Sequence, residues 1–190
     1  RRSFQINFRG VGFFKPGEKS SRKRFEFLYY GRAAYNKGLW FMLKALPRFD
    51  VDNVDFKLMV SGSQEEITKI RKFIKDSNLK NVRLTKPVKR EELPDVIRAS
   101  SAVIIPSLAE GFGFTTAESC ACGVPVVVSD AGSLPEVVSG EHIIFKSGDE
   151  EELLNALTNA VSGKWKHSAK KEFSWDKAAK EFEEIYLDIV

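Results

Sequence analysis

The sequence contains few of the residues that build metal sites and disulfides, with two cysteines and two histidines among 190 residues. Cys120 and Cys122 are separated by a single alanine, and this spacing suits neither a zinc site nor an unstrained disulfide. His142 and His167 are isolated in the sequence, so we expect them to be structural or surface residues. We therefore expect no metal site, and we interpret the cysteines as small packing residues in a reducing compartment.

The sequence also lacks a long hydrophobic run. No stretch approaches the ~18 uncharged apolar residues that a membrane span requires, and the longest apolar runs, such as 123–128, have the length of a strand. The chain begins with Arg1-Arg2-Ser3, without an initiator methionine or the apolar region of a signal peptide. We interpret it as a fragment excised from a cytoplasmic protein, with peripheral binding to the cytoplasmic membrane as an alternative.

Charge is mildly unbalanced, with a formal net charge of +4 and an isoelectric point near 9.0. A solvated surface is the favoured interpretation, and an anionic ligand or an anionic membrane surface is the alternative. Nucleic-acid binding is not expected, because no aromatic–basic motif of the usual modules is present. The basic residues form two clusters: Arg1, Arg2, Arg9, Lys15, Lys19, Arg22, Lys23 and Arg24, and then Lys164, Lys166, Lys170 and Lys171.

After residue 24, strand-like and helix-like patterns alternate. Short apolar runs predict six strands, at 25–30, 55–60, 82–85, 102–105, 124–128 and 142–145. Helical spacing of apolar residues predicts helices at 37–49, 64–77, 91–100, 114–122, 150–161 and 174–189. This order favours an α/β, Rossmann-like, doubly wound parallel sheet with helices on both faces. In such folds ligands bind at the carboxyl ends of the strands.

The loop 31–38 follows the first strand and leads into a helix. Gly31 turns the chain, and Arg32 and Lys37 flank the start of the helix. A helix start offers unpaired N–H groups and partial positive charge, and two added cations would suit a diphosphate. Two solvated charges on a loop are an equally good interpretation of this segment taken alone.

The loop 106–114 follows the fourth strand, and Gly111 and Gly113 would allow a ligand to approach the backbone. Glu118 lies among Ala117, Ser119, Cys120 and Ala121 in a predicted helix without a polar stripe. We expect this carboxylate to be partly buried and to need a partner, and a sugar or ribose hydroxyl would serve. The alternative for both Glu110 and Glu118 is a favourable interaction with the helix dipole.

Taken together, the motifs resemble the C-terminal domain of retaining GT-B glycosyltransferases of the group 1 type, the large family that includes bacterial and archaeal mannosyltransferases. Two glutamates separated by seven residues are the signature of that family. The resemblance covers nearly the whole chain and rests on these segments: Tyr30-Gly31-Arg32 with Lys37-Gly38, Pro106-Ser107 with Glu110-Gly111-Phe112-Gly113 and Glu118, Gly123-Val124-Pro125, Leu134-Pro135-Glu136, and Phe173-Ser174-Trp175.

The resemblance implies roles for individual residues. Arg32 and Lys37 would hold the diphosphate of a UDP- or GDP-linked sugar and neutralise the leaving group. Glu110 would accept hydrogen bonds from the donor sugar, and Glu118 would bind the ribose hydroxyls. No cofactor or metal is implied. The remaining donor-binding residues would be Gly31, Val88 at the base, Gly111, Phe112, Gly113 and Phe114 through backbone groups, and Thr115 at the phosphates.

The resemblance also implies a domain organisation. Residues 1–24 would form an interdomain linker, 25–173 the donor-binding domain, and 174–190 a helix that packs toward an absent N-terminal, acceptor-binding domain. Departures from the family pattern, at 61–63, Lys86, Ala131 and 140–146, leave the base and the sugar open. The alternatives are a binding module without turnover, a sugar-nucleotide epimerase, a phosphorylase, for which no cofactor-lysine motif is found, and a regulatory domain.

Overall fold

A computed structural model describes residues 14–17, 24–173 and 175–189, and within them seven strands form one sheet. The strands are β1 Phe25–Arg32, β2 Val54–Ser61, β3 Val82–Thr85, β4 Ala102–Ile105, β5 Val126–Ser129, β6 Gly140–Phe145 and β7 Lys166–Ser168. The α-helices are α1 Leu39–Ala45, α2 Gln64–Asp76, α3 Leu93–Arg98, α4 Phe114–Ala121, α5 Leu134–Val137, α6 Glu150–Val161 and α7 Trp175–Ile189, with short 3-10 helices at Tyr35–Lys37 and Leu46–Arg48.

The order of the strands in the sheet is β3-β2-β1-β4-β5-β6-β7. All neighbouring pairs from β3 to β6 are parallel, and β7 is antiparallel to β6. The chain moves outward from β1 in one direction to β2 and β3, and then crosses back to β4 on the other side. This reversal next to β1 is the topological switch point, where open α/β sheets bind their ligands.

Alternate side chains of β1 enter two separate hydrophobic cores, as the two-residue period of a strand requires. Phe27 and Tyr29 belong to the core that α1 and α6 cover, and Phe27 stacks on Phe56 of β2 with ring centroids 5.4 Å apart. Leu28 and Tyr30 belong to the core beneath α3 and α4. Helices therefore cover both faces of the sheet, and the doubly wound fold predicted from the sequence is confirmed.

Three local features differ from the sequence-based predictions. The helix predicted at 37–49 is interrupted, because Gly38 adopts the left-handed conformation (φ 68°) between a 3-10 turn and α1. The prediction of six strands missed β7, whose residues Lys166–Ser168 are all exposed and carry no apolar pattern. The four-residue helix α5 was also missed, since it is shorter than two turns.

The cysteines and one histidine are buried in the domain, and the other histidine lies on its surface. Cys120 and Cys122 are buried free thiols. His142 is buried, and its Nδ1 lies 2.9 Å from the Gly140 carbonyl oxygen, whereas His167 is exposed on β7.

The linker predicted at 1–24 lies largely outside the described residues, but residues 14–17 pack against the domain. Phe14 is buried in the core beneath α3 and α4, and Arg98 donates a hydrogen bond to the Lys15 carbonyl at 2.9 Å. The helix predicted at 174–189 corresponds to α7, and its described apolar side chains at Phe182, Tyr186 and Leu187 are exposed. None of the helices in the described ranges is long and apolar enough to cross a bilayer.

Candidate functional site

The loops that follow β1 and β4 meet at the switch point. The Asn36 carbonyl in the first loop accepts hydrogen bonds from the backbone N–H groups of Leu108 (2.8 Å) and Ala109 (3.2 Å) in the second. The Asn36 side-chain amide lies 3.5 Å from the Ala109 carbonyl oxygen. These contacts hold together the two segments that the sequence singled out.

Lys37 and Glu110, 73 residues apart in the chain, form an ion pair across this junction. The Lys37 Nζ lies 2.7 Å from Glu110 Oε2, and both side chains are largely buried, with exposures of 25% and 13%. The Ser107 hydroxyl donates to the same carboxylate oxygen at 3.3 Å. Because an ammonium has three donors, Lys37 can bind Glu110 and a second anion at once.

The loop after β5 supports the Glu110 loop from the opposite side. Gly132 has a φ of +56°, and a Cβ there would lie 2.1 Å from the Glu110 carbonyl oxygen. The adjacent Ser133 hydroxyl donates to the Gly111 carbonyl at 2.6 Å. Sequence reasoning missed both residues, and the only signal was Ala131-Gly132, which was treated merely as a departure from the family pattern.

The start of α4 has no side-chain cap, so the N–H groups of its first turn lack the partner that such a cap would supply. Its N-cap residue is Gly113 (φ 91°), which has no side chain to accept from the first-turn N–H groups. A Cβ at Gly111 would contact nothing within 4 Å, so this part of the loop is open. The Phe112 ring packs between those of Phe114 and Phe173, at centroid distances of 5.0 and 5.1 Å.

Two threonines follow Gly113 on α4 and behave differently. The Thr115 carbonyl accepts from the Ser119 hydroxyl at 2.7 Å and lies 3.0 Å from the Tyr30 hydroxyl, so its backbone belongs to the core side of α4. Thr116 was not predicted as a site residue; it is fully buried, and its hydroxyl has no hydrogen-bond partner among the described residues.

Glu118 is buried on α4, with 6% of its surface exposed. The Tyr30 hydroxyl lies 3.2 Å from Glu118 Oε2, and Arg90 Nη2 lies 3.4 Å from Glu118 Oε1. Burial raises the pKa of this carboxyl, and both Arg90 and the Tyr30 hydrogen bond oppose that rise. The expected burial of Glu118 is confirmed, whereas its protein partners Tyr30 and Arg90 were missed.

Val88 lies in the loop after β3, two residues before Arg90, and is exposed. The Arg90–Glu118 contact therefore joins this loop to α4. Val88, Glu118 and the Glu110 loop consequently lie at the carboxyl edge of the same sheet, as the sequence predicted for loops that follow parallel strands.

Gly31 and Arg32 form the end of β1. The Tyr29 hydroxyl donates to the Arg32 carbonyl at 3.0 Å, and burial, together with the nearby Glu110 carboxylate, raises the pKa of Tyr29. The Arg32 side chain is exposed and has no ion-pair or hydrogen-bond partner within the described part of the chain. The structure thus joins Lys37 to Glu110 and Arg90 to Glu118, but it does not bring the Arg32 guanidinium into contact with either carboxylate.

Comparison with known proteins identifies the family. A profile described as "Glycosyl transferases group 1" matches residues 13–182. The phosphatidylinositol N-acetylglucosaminyltransferase gpi3 subunit of Schizosaccharomyces pombe is 24% identical over 187 residues, which is 93% of this chain but 41% of that protein. The chain therefore spans less than half the length of that relative.

Solved structures share the fold at low sequence identity. Sucrose-phosphate synthase from Thermosynechococcus elongatus superposes with a TM-score of 0.79 at 21% identity, covering 95% of this chain and 50% of that chain. Anabaena HepE in complex with UDP-glucose gives a TM-score of 0.68 at 21% identity, covering 82% and 46%. The Rossmann-like half of a GT-B fold is thereby confirmed, while the roles of individual site residues stay predictions.

Proposed function

The chain belongs to the group 1 glycosyl transferases, and from this we propose that it is the nucleotide-sugar-binding half of a retaining glycosyltransferase. The full protein would transfer a hexose from a nucleotide-diphospho-sugar to a saccharide or lipid-linked acceptor. A separate N-terminal domain would bind the acceptor, so this chain alone would bind the donor without transferring sugar. We also propose a membrane surface as a partner, because the basic clusters of the sequence would be attracted to anionic lipid.

The diphosphate would bind at the junction of the loops after β1 and β4. Lys37 would donate to a phosphate oxygen while it keeps its 2.7 Å contact with Glu110. Arg32, exposed at the end of β1, would reach the same group from solvent. Glycosyl transfer adds negative charge to the departing diphosphate, and cations held in place beforehand stabilise that charge. Loss of one such donor typically raises a barrier by about 3–4 kcal/mol.

The two halves of the donor would bind on either side of the diphosphate. Glu110 would accept hydrogen bonds from the sugar, and the backbone N–H groups of Phe112 to Phe114, at the uncapped start of α4, would help to bind it. Glu118 would accept from the ribose hydroxyls. The backbone at Val88 would meet the base, and Thr115 would reach the phosphates. Two carboxylates with different neighbours suit two different sets of hydroxyls.

No metal is needed in this proposal. Lys37, Arg32 and the α4 amides would supply the positive charge that a divalent cation provides in other transferases. Among the described residues, no group of three or more acidic, cysteine or histidine side chains is arranged to hold a metal ion. We assign no nucleophile, because retention would depend on how the donor sugar faces an acceptor bound by the other domain.

The Lys37–Glu110 contact across the switch point is the observation that carries the proposal. Calorimetric titration of the chain with UDP, GDP, ADP and their glucose or mannose conjugates is the direct test. We expect nucleotides of one base to bind, the corresponding nucleoside monophosphate, titrated beside them, to bind more weakly than the diphosphate, and no sugar to be transferred to an acceptor. If none of these compounds bound, the proposal would be refuted. If this chain transferred sugar by itself, the assignment of donor and acceptor binding to two separate domains would be refuted.

A further inference from the structure

Tyr30 is placed to donate a hydrogen bond to Glu118. Its hydroxyl lies 3.0 Å from the Thr115 carbonyl oxygen, 3.2 Å from Glu118 Oε2 and 3.3 Å from Ser119 Oγ. Ser119 itself donates to the Thr115 carbonyl at 2.7 Å, so that carbonyl has a donor without Tyr30. The single proton of the tyrosine is therefore free for the carboxylate, which is the stronger acceptor.

Arg90 approaches the other oxygen of the same carboxylate from the surface. Its Nη2 lies 3.4 Å from Glu118 Oε1, and its side chain is 56% exposed, whereas that of Glu118 is 8% exposed. A buried carboxylate without a counterion would be strongly disfavoured. Arg90 thus supplies the counterion that the buried Glu118 carboxylate needs.

Phe14 fixes Arg90 from the segment that precedes the sheet. The Arg90 Cζ lies 5.5 Å from the centroid of the Phe14 ring, an arrangement in which a cation is attracted to the aromatic face. Phe14 is 3% exposed and packs in the core beneath α3 and α4. Tyr30 and Arg90 therefore contact the Glu118 carboxylate, and Phe14 contacts Arg90.

We infer that Tyr30 and Arg90 are positioning residues for Glu118, and that Phe14 holds Arg90 in place, so that the segment before β1 influences how tightly the site selects ribose. The inference rests on the proposed function, because it requires Glu118 to bind ribose hydroxyls. Tyr30 would fix the orientation of the carboxylate from the core, and Arg90 would fix its charge from the loop after β3. A ribose that binds here would meet an acceptor already aligned and paired with a counterion.

The test compares ribose with deoxyribose nucleotides. The nucleoside diphosphate that binds the unaltered chain, UDP or GDP, is titrated beside its 2′-deoxy and 3′-deoxy forms. We expect the unaltered chain to prefer ribose by about tenfold, the usual effect of a hydrogen bond to a charged group. Tyr30→Phe and Arg90→Ala should each reduce this preference by about threefold or more, and Arg90→Lys, which keeps the charge, should recover part of it.

The link to Phe14 is tested by a double-variant cycle. Phe14→Leu keeps an apolar side chain in the core but removes the aromatic face, and it should lower the ribose preference less than Arg90→Ala does. The double variant should show no further loss beyond Arg90→Ala, because contacting residues are not additive. Arg71→Ala, at an exposed position of α2, is the matched control and should leave the preference unchanged.

The outcomes separate this inference from the function on which it rests. If the unaltered chain binds no nucleoside diphosphate, the proposed function fails and the inference fails with it. If the chain binds one but does not distinguish ribose from deoxyribose, or if Tyr30→Phe and Arg90→Ala keep the preference intact, the inference alone is overturned. Equal losses for all nucleotides together with a lower melting temperature would assign Tyr30 and Arg90 a purely structural role.

Discussion

Gly38 faces Pro106 so closely that a Cβ on Gly38 would lie 1.7 Å from the Pro106 carbonyl oxygen. Gly38 also has a φ of +68°, which side chains rarely adopt. The loop that carries Lys37 and the loop that carries Glu110 can therefore approach one another only because this residue is glycine.

Gly38→Ala should destabilise the domain and separate the two loops. The left-handed conformation alone costs about 1–2 kcal/mol for a residue with a side chain, and the overlap with Pro106 adds to it. Thermal unfolding should show a clear drop in Tm. Gly111→Ala is the control: its Cβ would contact nothing within 4 Å, so the Tm should be unchanged. An equal drop in Tm for the two variants would show that the close approach of Gly38 to Pro106 does not determine the stability.

Lys37→Ala should weaken the binding of a nucleoside diphosphate by about tenfold, the effect of losing a hydrogen bond to a charged group. The nucleoside monophosphate should lose less, since it lacks the phosphate next to Lys37. Calorimetry measures both affinities. The control Lys44→Ala, at an exposed site on α1, should leave both affinities unchanged. If Lys37→Ala lowered the affinities for both nucleotides equally, Lys37 would not be a diphosphate-binding residue.

The two glutamates should have separable roles. Glu118→Ala should lower the affinity for the nucleoside diphosphate and for its sugar conjugate alike, by about tenfold, because both contain the ribose. Glu110→Ala should lower only the affinity for the sugar conjugate. The affinity for the nucleoside diphosphate should be unchanged, because Lys37 is then released to bind phosphate. Each variant is titrated separately with UDP and UDP-glucose, or with GDP and GDP-mannose. The same pattern of affinity losses in both variants would contradict separate roles for the two glutamates.

Glu118 should lower the stability of the folded chain near neutral pH. Burial raises its pKa above that of an unfolded glutamate, against the opposing effects of Arg90 and Tyr30. Below the unfolded pKa the carboxyl is protonated in both states, and as pH rises the unfolded state ionises first, so the free energy of unfolding falls. Tyr30 and Cys122, the titratable groups beside Glu118, remain neutral in this range, because burial raises the pKa of the Tyr30 hydroxyl well above its usual value and that of the Cys122 thiol to about 11.

Glu118→Gln should therefore have a higher Tm than the unaltered chain at pH 7, and the difference should shrink toward pH 4. Each kcal/mol recovered would raise the Tm by about 2–4 °C for a domain of this size. The same variant should bind nucleotide less well, so stability and binding would change in opposite directions. Glu172→Gln, at an exposed position, is the control, and a difference in Tm that does not vary with pH would contradict the prediction.

Local patterns in the sequence determined most of the elements. All six predicted strands and the helix α6 at 150–161 are present, because the spacing of apolar residues depends only on the period of each element. The burial of Glu118 was also predictable, since its neighbours on α4 are alanine, serine and cysteine. The family motifs marked the loops that follow β1 and β4.

The tertiary structure alone decided which of these residues meet. Nothing local to Tyr30, Arg90 or Ser133 indicates a partner, because each contact joins segments whose proximity depends on the order of strands in the sheet and on the crossovers between them. The same is true of β7, an exposed strand of lysine, histidine and serine that pairs with β6 through its backbone. The sequence by itself determined the elements and the candidate side chains, and the strand order decided that Lys37 reaches Glu110 and that Arg90 reaches Glu118.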